Sequence, residues 1–435
     1  RKSSARTWMN TVFPLLNILG SRIYIALLAI AICSAYAADD TLPRSGDPRE
    51  GYESTDYTTR SESLAERVGA EADLYKIGTT PQPGVAAVQH PPNNPLTRAG
   101  IALGRRLFFD RRLSINDTMS CAICHVPEMG FAHNELQTSV GVEGRTVRRN
   151  APTILNVAYK TLLFHDGREF TLENQVWTPL LARNEMANPS IGYVIQKINK
   201  LEDYRGLFEA AFNRPPSVET IGMALAQYQR TLISANSRFD RWYYGNEKEL
   251  LNEEEQLGFE IFTGKGSCSA CHLISEDHAH FTDNLLHNTG LGYDIAMAKE
   301  PPTHRVQLAP GVFVDVKSEL IDSVSQNRQV IRNDLGHYEV TEDPKDLWMY
   351  LTPTLRNVAL TAPYMHNGKL LSLEDVVEFY DKGGIQNPGL SPLIRALLLE
   401  QKEKQALVAF LKTLNGGNVG ELAADAFAAP VGDVQ

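Results

Sequence analysis

Residues Phe164–Pro179 read FHDGREFTLENQVWTP, and 201 positions later Met365–Tyr380 read MHNGKLLSLEDVVEFY. The likeness extends upstream without a gap, so that APTILNVAYKTLLFHDGREFTLENQVWTP from Ala151 aligns with TPTLRNVALTAPYMHNGKLLSLEDVVEFY from Thr352. Asn156 meets Asn357, His165 meets His366, Gly167 meets Gly368, and Leu172-Glu173 meets Leu373-Glu374. A repeat of this length reads as an internal duplication and predicts two copies of one fold. The copies part company at their ends, one closing on Pro179 and the other on Tyr380.

Each copy is preceded by a short motif, CAICH (Cys121, Cys124, His125) and CSACH (Cys268, Cys271, His272). Together they use every cysteine except Cys33. A CxxC pair alone fits a disulfide, a redox dithiol or half a zinc site. A histidine directly after the second cysteine is what covalent haem attachment needs, because two thioethers fix the porphyrin edge while the imidazole turns under the ring to bind iron. Two c-type haems are therefore expected. Similar helical approaches lead into both motifs, RAGIALGRRLFFD from Arg98 and EEEQLGFEIFTGKGS from Glu253, with Leu107-Phe108 answering Ile261-Phe262. The motifs lie 147 apart, so the second copy carries about 54 extra residues before its shared block.

The expected fold is mainly α, two tandem cytochrome c-type domains at 95–250 and 251–415 joined by a short linker near Asn246–Asn252, with a tail at 416–435. SLEDVVEFY reads as a capped helix, SPLIRALLLEQKEKQALVAFLKTLNGG as helices closing on glycine, and GVFVDV as the main strand signal. Upstream, Arg22 is followed by the apolar run IYIALLAIAICSAYA, too short for a comfortable membrane span and ending on Ala35-Tyr36-Ala37. Residues 1–37 read as a cleaved signal peptide and 38–94 as a polar extension, which predicts a periplasmic protein without stable membrane insertion. With 42 basic against 52 acidic residues, nucleic acid is disfavoured as a partner.

If the copies fold alike, Tyr380 and Pro179 hold equivalent places beside their haems. A phenolate can bind iron and a proline side chain cannot. The second haem would be closed by His272 and Tyr380 and the first left open with His125 alone, open irons binding small molecules and closed ones moving electrons. The alternative for Tyr380 is a packed core tyrosine at a helix end.

The paired CxxCH motifs, RNAPTILN, HDGR, NEM and PTLRNVALTAPYMHNG together resemble the bacterial dihaem cytochrome c peroxidase and MauG family over roughly Pro95 to Asn415. Within that family the peroxidases carry methionine at the position of Tyr380 and MauG-like proteins carry tyrosine, so the resemblance implies the MauG branch. It implies an enzyme in which hydrogen peroxide raises a haem to a high-valent state that oxidises a tryptophan or tyrosine of a periplasmic partner protein. The competing function is a cytochrome c peroxidase drawing electrons from a small cytochrome or copper protein. The resemblance further implies acid–base roles for Glu185 and Gln175, and one calcium ion held by Asn150, Thr361 and Pro363. Solvated surface positions are the alternatives for Glu185 and Gln175, and a turn cap for Asn150.

The chain departs from the family pattern at His165, where tryptophan is usual between the haems; the residue either bonds or simply fills the domain interface. His133 reads as a loop residue rather than a ligand closing the first iron. The 275–350 insertion holds His278, His280, His287, His304 and His337, a candidate copper, zinc or docking region whose irregular spacing favours a solvated loop.

Overall fold

The computed structural model describes residues 69–297, 303–309, 312–317, 320 and 334–428, so the apolar run and the expected signal peptide lie outside the described residues. The chain is mainly helical, with two short antiparallel strand pairs among the described residues.

Two helix crossings organise it. Helix Arg98–Phe109 starts where the Thr97 side chain accepts from Gly100 N–H, and it packs on helix Val218–Arg230. The approach is so close that a Cβ on Gly104 would stand 1.9 Å from the Ala224 carbonyl. Helix Glu253–Thr263, capped reciprocally by Asn252 and Glu255, packs in the same way on Gln401–Lys412, where a Cβ on Gly258 would stand 2.0 Å from the Ala406 carbonyl. Leu107, Phe108, Leu225 and Tyr228 fill the first crossing, and Ile261, Phe262, Leu407 and Phe410 the second. Each such side chain contributes about 1.5–3 kcal/mol by leaving water.

The repeated block wraps each crossing with the same turn chemistry. Asn156 and Asn357 adopt left-handed backbone conformations (φ 60° and 62°), where asparagine is tolerated, and their N–H groups reach Leu232 O (2.8 Å) and Leu414 O (3.1 Å). Thr153 and Thr354 hydroxyls donate to the carbonyls of Gly130 (2.6 Å) and His280 (2.7 Å), which lie on the loops after the two motifs. The turns that follow are closed by the bridges Leu163–Glu169 and Tyr364–Leu370.

Positions equivalent in the alignment then meet across the junction. Asn150 N–H donates to His366 O at 2.8 Å, and Leu351 N–H to His165 O at 2.7 Å. A dense ion-pair network surrounds this exchange: Arg149 holds Asp334 at 2.6 and 2.7 Å and Asp166 at 2.6 Å.

The copies differ at the helix after the block. In the second, Ser372 caps an unbroken helix Leu373–Asp381. In the first, the helix breaks into Leu172–Gln175 and Trp177–Leu181. Pro179 is the cause: it has no N–H for the carbonyl of Gln175, four residues back, and its ring crowds that carbonyl.

Several boundaries differ from expectation. The second core takes in Phe239, so it begins before residue 251, and helix Arg238–Tyr243 belongs to it. Gln401–Lys412 is helical, but most of Ser391–Glu400 is irregular, since Pro392 suits a turn and Leu398 has φ 55°. The described part of GVFVDV lies in a strand, Val312–Lys317, paired with Thr303–Ala309. Within the expected tail, helix Val419–Ala426 returns to the first core through Leu422 and Ala426, and Asp425 accepts from Ala72 N–H (3.0 Å) and Arg105 (3.2 Å).

Arg356 anchors the second half. Fully buried, it donates to both carboxylate oxygens of Asp240 (2.9 and 2.8 Å), to Ala279 O (2.7 Å) and to Gly84 O. Removing one partner of a buried pair strands the other charge, which costs about 3–5 kcal/mol. Arg356→Met should therefore lower stability in denaturant unfolding by about that amount, and adding Asp240→Asn should recover part of it. A loss below about 1 kcal/mol would show the pair to be replaceable.

Candidate active site

Cys121–Cys124 form a single helical turn that ends at His125. The His125 Nδ1 lies 3.2 Å from Phe131 O, and the His272 Nδ1 2.8 Å from Phe281 O. Phe131 and Phe281 both have left-handed backbones (φ 53° and 52°), which turn these carbonyls back onto the rings. A carbonyl only accepts, so each Nδ1 carries the proton and each Nε2 keeps a free lone pair, the arrangement that orients an imidazole as a metal ligand. Pro152 O and Pro353 O, equivalent in the repeat, also act on these rings. Burial pulls His125 down to about 4 and lowers His272 as well, so both are neutral near pH 7.

No disulfide joins the four motif cysteines. Burial raises Cys121 and Cys268 to about 12 and Cys124 and Cys271 to about 11, so none is a ready thiolate of the kind a reactive dithiol needs.

At the second motif a cavity of about 250 Å³ opens, well above the roughly 150 Å³ that accepts benzene. Cys268, Cys271, His272 and Tyr380 all line it, with apolar walls such as Val377 and Leu411. No aspartate or glutamate is among its lining residues. Thiols, a neutral imidazole, apolar walls and an acid-free lining fit a flat apolar macrocycle with an anionic edge. Tyr380 sits on the Leu373–Asp381 helix, its hydroxyl without a hydrogen bond among the described residues. Burial, then the neighbouring Cys271 and Cys268, push its phenol above the usual range, so only a strong local positive charge would ionise it.

At the first motif the loop 182–187 folds against the chain through Glu185 N–H to Ala182 O (3.0 Å) and Val142 N–H to Glu185 O (2.9 Å). The Glu185 carboxyl is close enough to act on both Cys121 and Cys124. Burial raises its pKa against the opposing pull of Arg168, the condition under which a carboxyl can both give and take a proton. Pro179 O accepts from Met186 N–H at 3.2 Å, so Pro179 and Glu185 belong to one folded unit. Gln175 stands half-buried at the end of its short helix, with no side-chain hydrogen bond among the described residues.

Asn150, Thr361, Pro363 and His165 line the second-motif cavity at the junction. The Asn150 side-chain N–H donates to Gln137 O (3.1 Å), which leaves its oxygen free. His165 Nε2 donates to Asn150 O at 2.9 Å, and burial pulls the ring down to about 4. The sequence held no pointer to the ring beside it: His366 stacks on Tyr350 with centroids 3.6 Å apart and planes at 9°, while Tyr350 OH donates to Asp334 O at 3.0 Å. Trp177 is a core residue whose Nε1–H reaches Val218 O at 3.2 Å.

His133 lies on a buried loop stretch near His125 and accepts from Leu136 N–H at 3.4 Å. The insertion histidines scatter. His280 stacks on Tyr159 (4.1 Å), His287 bonds Asp283 (2.8 Å) and His337 bonds Asp166 O (2.6 Å), while the His304 side chain lies outside the described residues. Among the described residues the one cluster of metal-binding types is Cys271, Asp283 and His287, and it includes a motif cysteine. No helix among the described residues is long and apolar enough to cross a membrane.

Comparison with known proteins agrees with this construction. A family described as di-haem cytochrome c peroxidase matches residues 98–248. The methylamine utilization protein MauG of Methylorubrum extorquens is 36% identical over 332 residues, which cover 75% of this chain and 81% of that protein. The cytochrome-c peroxidase IdrP2 of Denitromonas iodatirespirans is 34% identical over 317 residues, 73% of this chain and 81% of that one. A solved MauG-like protein associated with microbial copper homeostasis superposes with a TM-score of 0.61 at 32% identity, covering 81% of this chain and 97% of that one. With the paired motifs and their carbonyl-bound histidines, this likeness over three quarters of the sequence makes the chain a member of the dihaem cytochrome c peroxidase and MauG family, a haem-dependent oxidoreductase.

Proposed function

We propose that the chain is an exported, periplasmic enzyme of MauG type that uses hydrogen peroxide to oxidise an aromatic residue, Trp or Tyr, of a partner protein. Its two halves, one built around each motif, would descend from one duplicated c-type unit. The observation that carries this reading is that Tyr380 lines the same cavity as Cys268, Cys271 and His272, whereas its counterpart in the first copy is Pro179.

In this reading Cys121, Cys124, Cys268 and Cys271 form the thioethers, and His125 and His272 bind iron through Nε2. When bound, the haems supply iron centres able to accept oxidising equivalents from peroxide and to store or pass them on. Pro179 keeps the first site free of a side-chain ligand. Glu185 takes a proton from the near oxygen of peroxide and returns one to the leaving oxygen, with Gln175 as the neighbouring polar group. Tyr380, as a phenolate, favours ferric and higher states over ferrous and makes the second site a store rather than an inlet for electrons. His165 holds the Asn150 carbonyl, and Asn150, Thr361 and Pro363 offer oxygens for one calcium ion, a hard cation suited to them.

A second reading is a cytochrome c peroxidase fed by a small donor protein. The likeness to a cytochrome-c peroxidase at 34% identity supports it.

Two substitutions test the assignment. Tyr380→Met should raise the reduction potential of the second haem, within the roughly 0.8 V that axial ligands span, and potentiometric titration would detect it; an unmoved potential would remove Tyr380 from the iron. Glu185→Gln should slow the reaction with peroxide by about 10²–10⁴, the usual contribution of a positioned acid–base group, while haem content and resting spectra stay as they are. Stopped-flow absorbance would measure this, and unchanged kinetics would leave Glu185 a structural residue.

A further inference from the structure

Lys160 ends the short turn Val157–Tyr159 in the first copy of the repeat, its backbone N–H bonded to Val157 O at 3.1 Å. The residue nevertheless lines the cavity of the second motif. The ammonium has no ion pair or hydrogen bond among the described residues, and the cavity lining offers it no carboxylate. Asp166 and Asp334 of the junction network are committed to Arg149. Its charge acts on His125 of the first motif and on His165 of the junction. Burial lowers Lys160 to about 8, so near pH 7 it remains largely a cation. A desolvated cation with no counter-ion is costly unless an anion enters beside it. One other cation, Arg395, lines the cavity; it comes from the second half, is exposed, and its Nη2 lies 3.4 Å from the Ser267 hydroxyl.

We propose that Lys160 is the counter-ion of a carboxylate carried by the tetrapyrrole in the second cavity, so that the first half supplies a charge partner to the cofactor of the second. This rests on the haem reading above. An anionic edge suits this position, because the lining holds two cations, Lys160 and Arg395, and no aspartate or glutamate. The pairing has two consequences. It binds the halves through the cofactor as well as through the junction, and it offsets part of the negative charge that Tyr380 would add, keeping the second iron reducible.

The test is potentiometric titration of the holoprotein and of Lys160→Met, Lys160→Gln and Lys160→Arg, with covalent haem counted from the alkaline pyridine spectrum. Every form should carry two haems per chain. In the Met and Gln variants the potential of the second haem should fall by the equivalent of about a tenfold change in the ferric-to-ferrous ratio, about 59 mV for one electron. That is the scale of one charge acting over roughly 10 Å at an effective dielectric of about 20. The Arg variant should stay near wild type. Resonance Raman bands of the haem carboxylates should shift in the two neutral variants and hold in the Arg variant. Two haems with an unmoved potential in both neutral variants would overturn the inference, as would an Arg variant that falls as far as Met. Wild-type protein without covalent haem would overturn the cofactor reading itself, and this inference with it.

Discussion

Two hydrogen bonds exchanged between equivalent positions hold the halves of this protein face to face: Asn150 N–H to His366 O and Leu351 N–H to His165 O. Everything chemically active is arranged from that exchange. It sets His165 and His366 side by side at the junction, and burial drives both rings to neutrality, to about 4 and about 3. It also brings Asn150, His165 and Lys160 of the first half to the wall of the second half's cavity. The Arg149, Asp166 and Asp334 network closes around it, and burial of those carboxylates is outweighed by the guanidinium, which keeps both ionised. A cofactor site at the second motif is thus a property of both halves.

On this shared frame the two motifs are built alike and finished differently. Each histidine is pinned through Nδ1 by a carbonyl from a phenylalanine in a left-handed turn, so each offers the same nitrogen. The difference comes one helix later. The helix that Ser372 caps runs unbroken to Tyr380, whereas its counterpart in the first copy breaks ahead of Pro179, so the difference removes a phenol and also reshapes the segment that leads to Glu185. A half-buried carboxyl with a raised pKa stands at one site and a half-buried phenol at the other.

Much of this was legible in the sequence because it is local. The motifs, the paired asparagines at 156 and 357, and the glycines at 167 and 368 carry backbone demands that few other residues satisfy, with φ of 60°, 62°, 67° and 65°. Helices with an apolar stripe and a capping residue, such as Glu253–Thr263 and Leu373–Asp381, announce themselves in the same way. What was illegible is long-range. Phe239 joins the second core and Leu422 the first against their order in the chain, and no periodicity reports that. The Tyr350–His366 and Tyr159–His280 stacks join residues with no shared motif. Pro392 interrupts an otherwise apolar, helix-like run. The insertion histidines find different partners, His280 on Tyr159 with His278 beside it, His287 on Asp283 and His337 on Asp166, which their spacing does not report. Lys160 did leave a trace, a lone cation where the other copy has Thr361, but its meaning depends on a cavity that belongs to the other half.

The central claim is that one iron is left open under Pro179 and the other is closed by Tyr380. Electron paramagnetic resonance of the oxidised holoprotein addresses it most directly, since an open and a closed ferric haem differ in spin state. The account predicts one high-spin and one low-spin signal in equal amounts. Two low-spin signals would mean that His133 or another group closes the first iron, and two high-spin signals that Tyr380 does not bind the second; either would contradict it.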